Sequence, residues 1–148
     1  MASTYTNGGI EKIGSGEQAG TWGTTTNNNL DIIDKAINGV ESISVSGASS
    51  TITVTDGTAS AAAARVLVLS GSPGETHTLT LAPNDSDKVH LIKNGTNQTV
   101  NISQGSGGNA VLVAGEISCF VTAAPDPAPS QNIHAISPAV KTAFPPLP

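Results

Sequence analysis

Charge is scarce in this chain. Only 11% of its 148 residues are Asp, Glu, Lys or Arg, against about 25% in an average soluble domain. Six of them are basic, the net charge is −5, and the basic residues are scattered. Nucleic-acid binders need a basic patch to displace counterions from phosphates, so a nucleic-acid partner is excluded. Aromatics are equally sparse, at 3%: Tyr5, Trp22, Phe120 and Phe144. Cys119 is the lone cysteine, which excludes an intrachain disulfide and a cysteine zinc cluster. No apolar run approaches the ~20 residues that span a bilayer, so no membrane partner is expected. Residues 1–9 are polar and lack the basic and apolar regions of a secretory signal.

Catalytic signatures are also missing. The sequence contains no nucleophile elbow, P-loop, zinc-hydrolase motif or dinucleotide fingerprint. Carboxylates are few, and nothing pairs two of them in a cleft for glycoside hydrolysis. His77, His90 and His134 have no short ligand spacing and read as partly exposed strand residues. Asn84-Asp85-Ser86-Asp87 lacks the spacing of a calcium loop and reads as a turn. Cys119 reads as a small buried hydrophobe. No enzyme activity, cofactor or metal is therefore expected.

What the chain does contain is Thr, Ser, Asn, Ala and 16 Gly, with 9 Pro. Residues 1–20 carry glycines at 8, 9, 14, 16 and 20 and read as an extended arm, with Ile10 and Ile13 as isolated apolar pegs. Thr26 to Gly39 carries the one helix signal. Leu30, Ile33 and Ile37 fall on one face at 3.6 residues per turn. Thr26 or Asn27 would cap the start, Asp31 would pair with Lys35, and Gly39 would close the helix with positive φ. A helix of about ten residues is unstable alone in water, so its apolar face must dock.

From Glu41 the period becomes two. Ser42–Ser46, Thr51–Thr55 and Thr76–Leu81 alternate aliphatic and hydroxyl residues. Arg65–Leu69 is continuously apolar after its arginine and reads as a strand buried on both faces. Strands follow at 89–93, 98–102, 110–113 and 117–122. Ala59–Ala64 reads as a connection with one helical turn. Asn94-Gly95 signals a hairpin, and Asp56-Gly57 and Gly107-Gly108-Asn109 mark other turns. After Thr122 the prolines of 125–148 preclude a sheet interior and predict a strap. Asn132–Ile136 reads as one edge strand, and Phe144 and Leu147 read as anchors for a surface groove.

The expected fold class is mainly β. A small β-sandwich or jelly-roll-like domain (41–122) follows an extended arm and one short helix (1–40), and precedes a Pro-rich extended tail (123–148).

The segment Gly16-Glu17-Gln18-Ala19-Gly20-Thr21-Trp22-Gly23-Thr24-Thr25-Thr26-Asn27-Asn28-Asn29-Leu30-Asp31 resembles the start of many tail-fibre-like structural proteins of tailed bacteriophages. Their pattern is roughly G-x-Q-x-G-x-W-G-x-x-T-N-x-N-L. Ala64-Arg65-Val66-Leu67-Val68-Leu69, Val89–Thr96 and Val113-Ala114-Gly115-Glu116 are similar to their following β-domain. The resemblance covers roughly residues 10–122. It implies a non-enzymatic virion structural protein, made in the bacterial host cytoplasm and placed in the virion. A tail-associated role is favoured, as a short fibre or fibre-attachment component. A capsid decoration protein is the alternative. A carbohydrate-binding β-sandwich is disfavoured, because Phe120 is the one aromatic of the β-domain.

The implied partners are identical copies, as a homotrimer, and other virion proteins of tail, baseplate or capsid. A host-surface glycan is a further partner that a fibre would take. The candidate assembly residues are Ile10, Ile13, Trp22, Leu30, Ile33, Ile37, Phe144 and Leu147. Trp22 has two readings: an anchor in the core of its own chain, or a lock between subunits.

Overall fold

A computed structural model describes residues 2–105 and 110–122. The first twenty residues, expected as an arm without regular structure, fold back on themselves. Strands β1 (Thr4–Tyr5) and β2 (Glu11–Lys12) pair antiparallel. The turn between them rests on the β-domain, where the Gly57 amide donates to the Gly9 carbonyl at 2.8 Å. Ile10 and Ile13 are half-buried within their own chain.

Helix α1 runs from Trp22 to Asn38, 17 residues rather than ten. The chain is wound into the helix before Thr26. Gly16, Gln18 and Gly20 all have positive φ, and the Gln18 carbonyl accepts from the amides of Thr21 (2.9 Å) and Trp22 (3.0 Å). The expected caps Thr26 and Asn27 are thus interior residues. Gly39 does end the helix, but at φ −67°. Glycine is needed there for closeness, since an added Cβ would stand 2.3 Å from the Lys35 carbonyl oxygen. Lys35 is drawn to Glu41 at 2.8 Å and to the Ala59 carbonyl at 3.0 Å, rather than to Asp31.

The β-domain holds two four-stranded sheets. In chain order the strands are β3 (Val40–Ser44), β4 (Ser49–Thr53), β5 (Val66–Ser70), β6 (His77–Ala82), β7 (Lys88–Asn94), β8 (Val100–Ser103), β9 (Ala110–Leu112) and β10 (Ile117–Thr122). A 3-10 turn, Ala61–Ala63, fills the Ser-Ala connection as expected. The protein is a small, mainly β domain with one short helix. Its chain winds as a coil. Successive strands from β3 to β8 alternate between sheets, and β3, β5, β7 and β4, β6, β8 run parallel within each. Only β9 and β10 pair antiparallel to their neighbours in the two sheets. The sheet orders are β10-β7-β5-β3 and β4-β6-β8-β9.

This coil replaces the hairpin expected at Asn94-Gly95, because β7 and β8 lie in different sheets. Asn94 is fully buried. Its amide donates to the carbonyls of Gln98 and Leu112, and its oxygen accepts from the amide and hydroxyl of Thr96. All four bonding sites are filled, which holds the chain as it leaves one sheet for the other.

Both sheets contribute to one core. Leu67, Leu69, Ile92 and Phe120 come from the first, and Leu79, Leu81, Val100, Ile102 and Leu112 from the second. The Arg65–Leu69 run alternates: Leu67 and Leu69 are buried, while Val66 and Val68 on the opposite side are half-buried. His77 and His90, expected to be partly exposed, are core residues. His77 bridges the Ser50 hydroxyl and the Gly47 carbonyl, both at 2.8 Å. His134, the edge strand at 132–136, the 107–109 turn, and the whole strap with Phe144 and Leu147 lie outside the described residues.

Candidate interaction surface

The N-terminal motif acts first as a clasp between hairpin and helix. Asn29 uses its side-chain amide as a strand would use its backbone. Its oxygen accepts from the Glu11 amide at 2.9 Å, and its nitrogen donates to the Glu11 carbonyl at 2.8 Å. Gln18 donates to the Glu11 carboxylate and accepts from the Thr25 hydroxyl. Glu17 accepts from the amide and hydroxyl of Ser3. Asn7 ties the hairpin turn to the Asp85 carbonyl at 2.8 Å. Gln and Asn at these motif positions thus have a structural reason.

These bonds decide which helix face turns inward. Thr25, Asn29, Ile32 and Ala36 share one side, and Ile32 is the helix's buried residue. At 100° per residue the stripe of Trp22, Leu30, Ile33 and Ile37 lies about a quarter-turn away. Its members share a face, as the spacing predicts, but they do not dock on their own chain. Trp22 is 62% exposed, Leu30 57%, Ile33 39% and Ile37 56%. Val40, at 63%, continues the stripe onto β3. Trp22 is therefore not a core anchor in the single chain.

Val40 also opens an apolar sheet face. Across the first sheet, Val40, Val66, Leu91 and Cys119 stand side by side. The next row is Ser42, Val68, Lys93 and Ile117, and Val89 pairs with Val121. Val89, Leu91 and Ile117 are exposed, and Cys119 is half-exposed rather than buried. These residues were missed as a surface. The unbroken apolar run Val66–Leu69 was the available signal, since a strand apolar on both sides needs two covers.

A groove of about 730 Å³ separates the helix from the end of this sheet, lined by Ile10, Ile32, Ala36, Arg65, Lys88 and Val121 among others. Beside it, Lys88 donates to the carbonyls of Ala62 and Ala63. Burial, and then Lys35 nearby, lowers its pKa to about 8. His90 donates its Nδ1–H to the Ala64 carbonyl at 3.0 Å. Burial, and then Lys88, lowers its pKa to about 4. A carbonyl partner requires the protonated Nδ1 tautomer, which leaves His90 a neutral donor at pH 7.

Among the described residues no group of three or more His, Cys, Asp or Glu converges on one point. None of the described helices is long and apolar enough to cross a membrane. What the geometry offers is an apolar surface on a rigid support. Comparison with known protein families, known proteins and solved structures finds no match.

Proposed function

We propose that this chain is a non-enzymatic structural protein of a tailed-bacteriophage virion. In this reading it is tail-associated, as a short fibre or fibre-attachment component, and acts as a homotrimer through contacts with copies of itself and with other virion proteins. The observation that carries the reading is the exposed stripe Trp22, Leu30, Ile33 and Ile37 on a helix held rigid by Gln18 and Asn29. Contiguous apolar patches of several hundred Å² on a single chain mark interaction sites. The stripe also sits within the segment that resembles phage tail proteins.

Mass spectrometry of purified virions tests the reading. The protein is expected in the particle, and its presence only in the surrounding lysate would end the proposal. Tagged protein located by particle imaging is expected at the tail. A label spread over the capsid lattice would replace the tail role by head decoration. Light scattering of the purified chain is expected to give three copies, and a stable monomer or dimer at micromolar concentration would overturn the trimer.

A further inference from the structure

The helix and the first sheet each lack what the other has. The helix shows an apolar stripe that its own body does not cover. The sheet β10-β7-β5-β3 shows an aliphatic outer face built on the parallel strands β3, β5 and β7. Parallel sheets are ordinarily covered on both faces, most often by helices. Helix α1 reaches only one end of this face, where Ile32 and Ala36 share the groove with Val89 and Val121, and Leu91 and Ile117 stay exposed. We propose that the stripe of α1 in one copy packs onto the outer face of the β10-β7-β5-β3 sheet in the next copy, and this contact rests on the assembly reading above.

Charge and apolar surface both favour a second copy of this chain as the occupant. The helix carries one base, Lys35, which is turned inward to Glu41. Its exposed charges are Asp31 and Asp34, close beside the stripe. Along the described strands, the one charged side chain on the outer sheet face is Lys93, in the row with Val68 and Ile117. An acidic-flanked stripe thus meets an aliphatic face with a basic centre. Opposite charges at such a contact fix register and disfavour other pairings. Trp22, Leu30, Ile33 and Ile37 on the helix are matched by exposed Val40, Val89, Leu91 and Ile117 on the sheet face, and apolar atoms make up a little over half of a typical interface. The second sheet is the weaker competitor, since Ser49, Thr51, Thr53, Thr78 and Thr80 line most of its outer face, although Val111 on its edge strand β9 is exposed.

The contact is head-to-tail. Each copy gives its helix to one neighbour and receives a helix from the other, which closes into a ring when the rotation permits. Three copies then use every stripe and every sheet face once.

Cys119 is a built-in probe, because it lies on the receiving face beside Leu91. The full chain carrying Ile33→Cys, on the exposed stripe, is oxidised mildly and its disulfides are mapped by peptide mass spectrometry. The expected product links position 33 of one copy to Cys119 of another. A link between two copies of position 33 would mean that helices meet helices, and would overturn the proposal. Absence of any link between copies would also overturn it.

Ile33→Asp is expected to weaken association at least tenfold with an unchanged circular-dichroism spectrum, while Thr80→Asp on the opposite sheet leaves association unchanged. Equal weakening by both would overturn the proposal. The mass of the cross-linked species separates this contact from the trimer reading. Two copies joined from 33 to 119 keep the contact and remove the threefold assembly. Three copies joined from 33 to 33 keep the trimer and remove the contact.

Discussion

The two sheets of the β-domain share a core but present different faces to the outside. On β4, β6, β8 and β9 the outward residues are mostly polar, Ser49, Thr51, Thr53, Thr78, Thr80, Asn101 and Ser103, with Ala82 and Val111 as the apolar members. On β3, β5, β7 and β10 they include Val40, Val66, Val68, Val89, Leu91, Ile117, Cys119 and Val121. Hydroxyls hydrogen-bond to water and leave a sheet face finished. Valine and leucine leave it dependent on a cover worth about 25 cal/mol per Å² buried. The contrast therefore separates what folds the chain from what the chain is built to meet. Folding needs only the inward residues, among them Leu67, Leu69, Ile92 and Phe120 in the first sheet and Leu79, Leu81, Val100, Ile102 and Leu112 in the second.

The largest effects should accordingly be symmetric. Leu67 and Leu79 are fully buried, one in each sheet. Leu67→Ala and Leu79→Ala should each cost about 2–5 kcal/mol, from lost transfer energy and the cavity left behind. Denaturant melts of the two variants check this. A large cost from Leu67 alone would mean that the second sheet contributes little to the core.

Next in size is a pH effect confined to the first sheet. His90 has its pKa lowered from 6.5 to about 4 by burial and by Lys88. Above pH 6.5 both folded and unfolded chains carry it neutral, and its full contribution is present. As pH falls below 6.5 the unfolded chain takes up a proton that the folded chain refuses. Stability then drops by up to about 3 kcal/mol and levels off below pH 4. Urea melts at pH 7 and pH 4.5 should show the loss, and His90→Gln should reduce it. An equal drop in the variant would assign the effect to another group.

Much of this architecture was legible in the sequence. Period-two patterning is local, so Ser-Ile-Ser, Thr-Ile-Thr and Thr-Leu-Thr mark β3, β4 and β6, while the apolar run Val66–Leu69 marks β5. The 3.6-residue spacing correctly placed Leu30, Ile33 and Ile37 on one face. What it did not carry was direction. That an apolar face points inward holds only on average, and here the choice was made by a polar residue. Asn29 bonds both backbone groups of Glu11, a contact across 18 positions that no local window contains. The helix start was hidden for a similar reason, because a non-glycine residue, Gln18, adopts positive φ. The order of strands was lost at Asn94-Gly95, a strong turn signal in which the asparagine is held by four buried bonds instead.

Breaking the clasp tests that account with a smaller effect. Asn29→Ala removes two part-buried hydrogen bonds to Glu11, at a cost of about 1–3 kcal/mol. The loss should be local. Proteolysis within residues 1–20 is expected to accelerate, while the β-domain's melting transition stays nearly in place. Equal protection in variant and native chains would show that the Gly9–Gly57 and Asn7–Asp85 contacts suffice to hold the hairpin.

The smallest change in stability should come from making the two outer faces alike. Val68→Thr, Leu91→Thr and Ile117→Thr together would give the first sheet the hydroxyl face of the second. Threonine keeps the branched shape that strands favour. The substituted atoms point away from the core, with Leu91 and Ile117 already exposed. Unfolding free energy of the dilute chain should therefore move by less than about 1 kcal/mol, the range of the strand-propensity scale. Association should respond quite differently, because the apolar area that a neighbour would bury has gone. Sedimentation at increasing concentration is expected to show a monomer where the native chain assembles. If the triple variant assembles as the native chain does, the aliphatic face is not what holds copies together. The dissimilarity of the two sheets would then need an explanation from within the single chain.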